Sequence, residues 1–156
     1  KLVKPGDSVL ILGAAGKSGM MCCYEAKKRV GPTGRVVGLV RNEKSKAKLL
    51  EMGIVDDVII ASAQLPVEVL ETSLAANNGN VENTEMSSIL PIRNGGTVYF
   101  FSMATSFTKA ALGAEGVGKD VDMIIGNGYT KGHAEITLQI LRESEIVRTT
   151  FEKMYL

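Results

Sequence analysis

Val9-Leu10-Ile11-Leu12-Gly13-Ala14-Ala15-Gly16-Lys17-Ser18-Gly19 is an apolar run that breaks into three regularly spaced glycines. Four consecutive aliphatic residues, Val9 to Leu12, read as a strand buried on both faces, as in a parallel sheet. Gly13, Gly16 and Gly19 then form G-x-x-G-x-x-G, and a helical pattern follows at once. The stretch predicts a strand, a tight turn and a helix N-terminus. The first glycine permits the turn, the second lets a phosphate approach the backbone, and the third lets the helix pack on the strand. A glycine-rich structural turn would use the same residues. The strand before and the helix after favour the phosphate cradle.

Working outward, Lys1 to Asp7 is an entry loop with Pro5-Gly6-Asp7 as turn residues. Met20, Cys23, Tyr24 and Lys27 share one face of the helix after the glycines, which should stop at Gly31-Pro32. Arg35 to Val40 is a second strand, and Glu43 to Met52 a second helix closed by Gly53. Asp57 to Ala61 is a third strand. Pro66 suits the first position of a helix whose stripe is Val67, Leu70 and Leu74. Beyond a polar break at Asn77 to Asn80, a helix is expected from Asn83 to Leu90. Strands follow at Thr97 to Phe101 and Val121 to Ile125, joined by a loop with one helical turn at Lys109 to Leu112. A helix from Gly132 to Arg142 should pack Ile136, Ile140 and Leu141 inward, and Ile146-Val147 reads as a last short strand.

The alternation predicts one α/β domain over residues 1–156, a Rossmann-type doubly wound parallel sheet with helices on both faces. It has one fault. Between the third strand and Thr97 there are two helices and no strand, because Ala75 to Glu85 contains no apolar run. The absent element would be the fourth strand, which neighbours the first at the centre of such a sheet. A missing segment of ten or more residues near Asn80 and Val81 explains this; a helical hairpin in a rearranged sheet is the alternative.

With 45% apolar residues, 22% charged residues and a net charge of +1, nothing points to nucleic acid or a membrane surface. No stretch reaches the ~18 apolar residues of a membrane span, and no signal-peptide pattern opens the chain. The two cysteines, Cys22 and Cys23, are adjacent on a helix, where an ordinary disulfide does not form. They read as small core residues in a reducing cytoplasm. His133 is the single histidine and no ligand spacing occurs, so no metal site is expected.

The opening V-K-P-G-D-S-V-L-I-L-G-A-A-G-K-S-G resembles the entry of the medium-chain dehydrogenase/reductase superfamily into its cofactor domain. N-G-G-T-V-Y-F-F-S looks like that superfamily's fifth strand, and V-D-M-I-I-G-N-G its sixth. The stretches G-K-S-G-M-M-C-C-Y-E-A-K-K-R-V-G-P-T-G and N-T-E-M-S-S-I-L-P are similar to the L-erythro-3,5-diaminohexanoate dehydrogenases of anaerobic lysine fermentation. The resemblance implies an NAD(P)-dependent amine dehydrogenase, with oxidative deamination of a diamino acid to 5-amino-3-oxohexanoate. It also implies a catalytic domain that this chain does not contain, so the fragment alone should be inactive and the catalytic residues are not named by it.

At the glycine loop, Gly13, Ala15, Gly16, Lys17, Ser18 and Gly19 would turn backbone N–H groups and the helix dipole toward a pyrophosphate. At the end of the second strand, an acidic residue would hold the ribose hydroxyl of NAD. Val40 and Arg41 stand there, with Asn42, Ser45 and Lys46 behind, which suits the 2′-phosphate of NADP with NAD tolerated. Arg41 as a solvated loop charge is the plainer alternative. Ser102 and Met103 sit where the superfamily contacts the nicotinamide carboxamide, with Thr105 and Ser106 near the same cleft. His133 suits a surface or capping role, and Lys27-Lys28-Arg29 a solvated helix face. The Val121 to Ile125 strand is an apolar edge through which a homodimer would form. A zinc alcohol dehydrogenase or quinone reductase of the same superfamily, and a non-catalytic dinucleotide-binding module, are the competing readings.

Overall fold

Apolar residues at every position of a strand call for cover on both faces, and that requirement builds this structure. It is a computed structural model that describes residues 2–72, 83–101, 104–126 and 130–156. In order the elements are β1 (Ser8–Leu12), α1 (Lys17–Val30), β2 (Arg35–Val40), α2 (Glu43–Met52), β3 (Asp57–Ile60), α3 (Pro66–Thr72), α4 (Glu85–Ile89), β4 (Gly96–Phe100), α5 (Phe107–Gly116), β5 (Val121–Ile125), α6 (His133–Glu143) and α7 (Glu145–Tyr155).

β2 lies between β1 and β3, parallel to both, with Ile11 opposite Gly38 and Gly38 opposite Val58. On one face, Ile11, Val36, Val40 and Val58 bury against α1, α2, Ile140 of α6 and Val147 of α7. On the other, Leu10, Leu12, Val37 and Leu39 bury with Ala61 and Val69 of α3. Each such aliphatic side chain contributes about 1.5–3 kcal/mol by leaving water. β4 and β5 form a separate parallel pair, covered by Ile89 of α4 and by Ala110 and Ala114 of α5. Helices on both faces of parallel strands agree with the expected fold class.

Three expectations are corrected. The segment around Lys109 to Leu112 is not a single turn but the ten-residue α5. Its start is secured twice: the Ser106 hydroxyl accepts the Lys109 N–H, and the buried Glu85 carboxylate accepts the Ser106 N–H at 2.7 Å. Gly113 lies inside α5 against Met86 of α4; a Cβ at that position would lie 2.3 Å from the Met86 sulfur, so the methionine would have to shift. Ile146-Val147 is not a strand but the opening of α7, with Ser144 as cap and Val147 and Phe151 turned to the core one helical turn apart. On α3 and α6 the stripes are shifted. Val69 is buried in place of Val67, and Ile136 is exposed while Ile140 carries the contact. Leu74 and the break at Asn77 to Asn80 lie outside the described residues.

Lys27-Lys28-Arg29 is more than a solvated face. All three close the last turn of α1, where positive charge complements the helix dipole. Lys27 pairs with Asp56, Lys28 with Glu143 and Arg29 with Glu25. Asp56 also accepts the Val36 N–H at 2.7 Å. Burial alone would raise its pKa, but the Lys27 ammonium and the Val36 amide outweigh burial and hold it below the usual carboxylate range. A depressed folded pKa means stabilisation that is complete above the unfolded value of about 3.9 and lost as pH falls through the folded one. Asp56→Asn should therefore lower stability at pH 7 by no more than about 1 kcal/mol. The difference should vanish near about pH 2 in denaturant titrations; one that persisted in acid would contradict this role.

Candidate functional site

The carboxyl ends of β1 and β2 lie side by side, and the loop leaving β1 is tied to both. Gly13 takes φ +71°, and the Leu39 carbonyl of β2 accepts the N–H groups of Gly13 and Ala14 at 3.1 and 3.2 Å. The Gly16 N–H closes the turn onto the Gly13 carbonyl at 3.0 Å. The first bond of α1 runs from the Met20 N–H to the Gly16 carbonyl. The amides of Lys17, Ser18 and Gly19 therefore have no acceptor within the helix. No side chain caps this end, and no acidic residue sits in the first turn.

The glycines are matched to this geometry. A Cβ on Gly19 would stand 2.3 Å from the Gly13 carbonyl oxygen and 2.8 Å from the Ala14 backbone. On Gly16 it would lie 3.2 Å from the same oxygen. Gly38 does the same work beneath the loop, where a Cβ would come within 2.9 Å of the Ala14 methyl. Gly13, Gly16, Lys17 and Ser18 are exposed, and Ala15 is half-buried. The result is an open, thin-walled bend with outward amides at the positive end of a helix, a fit for a phosphate group.

One strand over, Arg41 is exposed and has no ion pair with a described residue. Asn42 is the cap of α2; its side-chain oxygen accepts the Ser45 N–H at 2.9 Å, so that oxygen is already engaged. Lys46 is half-buried in the first turn of α2, and exposed Glu43 opens that helix. The structure thus brings the glycine loop and Arg41 to adjacent strand ends. Ser102 and Met103 lie outside the described residues. Thr105 is half-buried, and Ser106 is committed to capping α5.

Tyr155 was not foreseen at this site. The Lys17 ammonium stands 4.3 Å from the centre of its ring, which brings the last turn of α7 beside the glycine loop. The spacing of Val147 and Phe151 was the available signal, hidden by reading Ile146-Val147 as a strand. His133 is exposed at the start of α6 with Nδ1 2.8 Å from the Thr130 carbonyl, a turn-closing role. Neither Cys22 nor Cys23 is in a disulfide; Cys23 is fully buried, and that burial pushes its thiol pKa up, which leaves it inert. Among the described residues no three potential ligands gather for a metal, and no helix is long and apolar enough to cross a membrane.

No known protein-family model matches the chain. Two curated relatives do, each over 166 aligned positions that take in the whole chain and 48% of the relative. The L-erythro-3,5-diaminohexanoate dehydrogenase of Acetoanaerobium sticklandii is 94% identical, and that of Fusobacterium nucleatum 58%. The chain therefore spans about half the length of the relatives it matches. Among solved structures, the alcohol dehydrogenase of Thermus sp. ATN1 superposes with a TM-score of 0.67 at 22% identity, over 93% of this chain and 43% of that one. That likeness is one of fold.

If the loop is a phosphate cradle, Gly19→Ala should weaken dinucleotide binding by about tenfold or more, since the new methyl displaces the Gly13 carbonyl. Calorimetric titration of both proteins measures it, with circular dichroism reporting the fold. Undiminished affinity in a folded variant would count against the cradle.

Proposed function

The chain is related along its whole length to the L-erythro-3,5-diaminohexanoate dehydrogenases, and on that premise we propose that residues 1–156 are the cofactor-binding domain of such an enzyme. The observation that carries the reading is the uncapped first turn of α1 behind a glycine loop too tight for any side chain at Gly19. Dehydrogenase relatives imply a nicotinamide dinucleotide.

Gly13, Ala15, Gly16, Lys17, Ser18 and Gly19 would hold the pyrophosphate with backbone N–H groups, and Ser18 adds a hydroxyl. Arg41, supported by Asn42 and Lys46, would hold the ribose 2′-phosphate, which makes NADP the favoured cofactor and NAD the weaker one. Val40 ends β2 where a carboxylate would otherwise select NAD. Asn42 contributes its amide N–H groups there, its oxygen being held by the cap. Ser102 and Met103 would meet the carboxamide end. When bound, the nicotinamide supplies the hydride acceptor for oxidative deamination of L-erythro-3,5-diaminohexanoate to 5-amino-3-oxohexanoate. This domain's share is to bind and orient; residues outside it would hold the diamino acid, so the 156 residues alone should bind cofactor without turnover.

A homodimer through β5 belongs to the same proposal. Ile124 and Ile125 are 38% and 51% exposed on a strand that pairs only with β4 among the described strands. Two adjacent cysteines on α1 with no disulfide between them suit a reducing compartment such as the cytoplasm.

Arg41→Ala tests the cofactor choice. Loss of a charge-assisted contact of about 1.5–3 kcal/mol should lower the NADP-to-NAD affinity ratio by about ten- to a hundredfold, with NAD affinity little changed. A ratio that stays constant in parallel titrations would remove Arg41 from the site.

A further inference from the structure

Five polar side chains are buried among the described residues, and four of them, Thr84, Glu85, Ser87 and Ser88, lie in or beside α4. Glu85 is the single charged residue of the five and is 4% exposed. A carboxylate taken out of water is costly unless partners replace its hydration. One of its partners is the Ser106 N–H, 2.7 Å from Oε1. The Ser87 hydroxyl donates to the Ala63 carbonyl, also at 2.7 Å. Ala63 follows β3 and Ser106 follows β4, so α4 is bonded to the chain leaving both strands. β3 lies in one parallel sheet with β1 and β2. The carboxyl end of β4 is thereby held on the same rim as the glycine loop and Arg41.

The Glu85 bond supplies what the sequence around Ser106 lacks. A helix that begins with serine closes a capping box when a Glu or Gln three residues on accepts the serine N–H. Here that residue is Lys109, whose ammonium cannot accept. The Ser106 hydroxyl caps α5, and Glu85 takes the Ser106 N–H from a different helix. Lys109 turns its ammonium to the Asn83 side-chain oxygen at 2.6 Å, a second tie between the same two segments. Apolar packing through Met86, Ile89, Ala110 and Ala114 already holds α4 on α5. What the carboxylate adds is a fixed place for one backbone amide.

We propose that Glu85 is a positioning residue for the nicotinamide end of the cofactor, acting through Ser106; this rests on the cofactor-domain reading above. Arg41 would hold the 2′-phosphate beyond β2, and the loop after β1 the pyrophosphate. The other half of the dinucleotide then runs away from β2 along the carboxyl ends of the strands. β4 lies on that side, since Ser8 and Val9 of β1 share a cavity with Gly96 and Thr97 of β4. Half-buried Thr105 and the capping Ser106 stand beyond its carboxyl end. Held by Glu85, they meet the nicotinamide ring as a preformed wall, and binding does not have to order them.

The test titrates the 156-residue chain with NADP and with 2′-phospho-ADP-ribose, the same molecule without its nicotinamide. Glu85→Ala should weaken NADP by about fivefold or more and leave the fragment within about twofold. Glu85→Gln keeps an acceptor oxygen and should bind both ligands as the unmutated chain does. A contact that only stabilised the fold would shift the two ligands alike. Coupling is reciprocal, so bound nicotinamide must strengthen the Glu85–Ser106 bond by the factor it gains from it. In the unmutated chain, the Ser106 amide should therefore exchange about fivefold more slowly with NADP saturating than with the fragment saturating. That readout needs no variant to fold. A Glu85→Ala protein that loses both ligands equally or neither, or equal Ser106 exchange in the two complexes, overturns the inference alone. An unmutated chain that binds neither of them, nor NAD, overturns the cofactor-domain reading and the inference with it.

Discussion

Everything near the cleft depends on how closely α1 can approach the ends of β1 and β2. The Gly13 carbonyl, the absent side chain of Gly19 and the flat surface of Gly38 under Ala14 allow that approach together. With the helix so close, its first turn begins almost at the strand end and its free amides face the cleft instead of the core. The Leu39 carbonyl, by taking both the Gly13 and Ala14 N–H groups, then fixes the loop against β2. Arg41 follows two residues later and so comes to the neighbouring strand end. The proposed cofactor site is a consequence of helix packing.

The two ends of α1 are treated differently. Its last turn is crowded with cations that pair with Asp56 before β3, with Glu143 on α6 and with Glu25 on α1 itself. Its first turn has no counter-charge and no cap. The helix is thus anchored at its negative pole, and its positive pole is left for an anion. α7 adds a lateral tie, with Tyr155 over the Lys17 ammonium and the Lys48 ammonium 3.3 Å from the Met154 sulfur. α7, which turns Val147 and Phe151 into the core beside α6, therefore borders the loop.

The split between the β3-β2-β1 sheet and the β4-β5 pair has a different character. Each half satisfies its own faces, the first with α1, α2, α6, α7 and α3, the second with α4 and α5. What joins them among the described residues is side-chain contact: Ile92 touches both cores, and the Ser87 hydroxyl donates to the Ala63 carbonyl at 2.7 Å. Among the described residues no backbone ladder crosses this seam.

By itself, the sequence determined the elements whose signals are local. Val9 to Gly19 announced strand, loop and helix, and Asn42 and Gly53 bracketed α2. These are matters of periodicity and backbone freedom, which a few neighbouring residues settle. Only the tertiary structure decided that Val69 and not Val67 faces the core, that Phe107 to Gly116 forms a full helix, and that Ile146-Val147 starts a helix. It also placed Tyr155 at the glycine loop, 138 positions along the chain from Lys17. Such facts depend on which distant surface arrives to cover a side chain, and no local pattern encodes that.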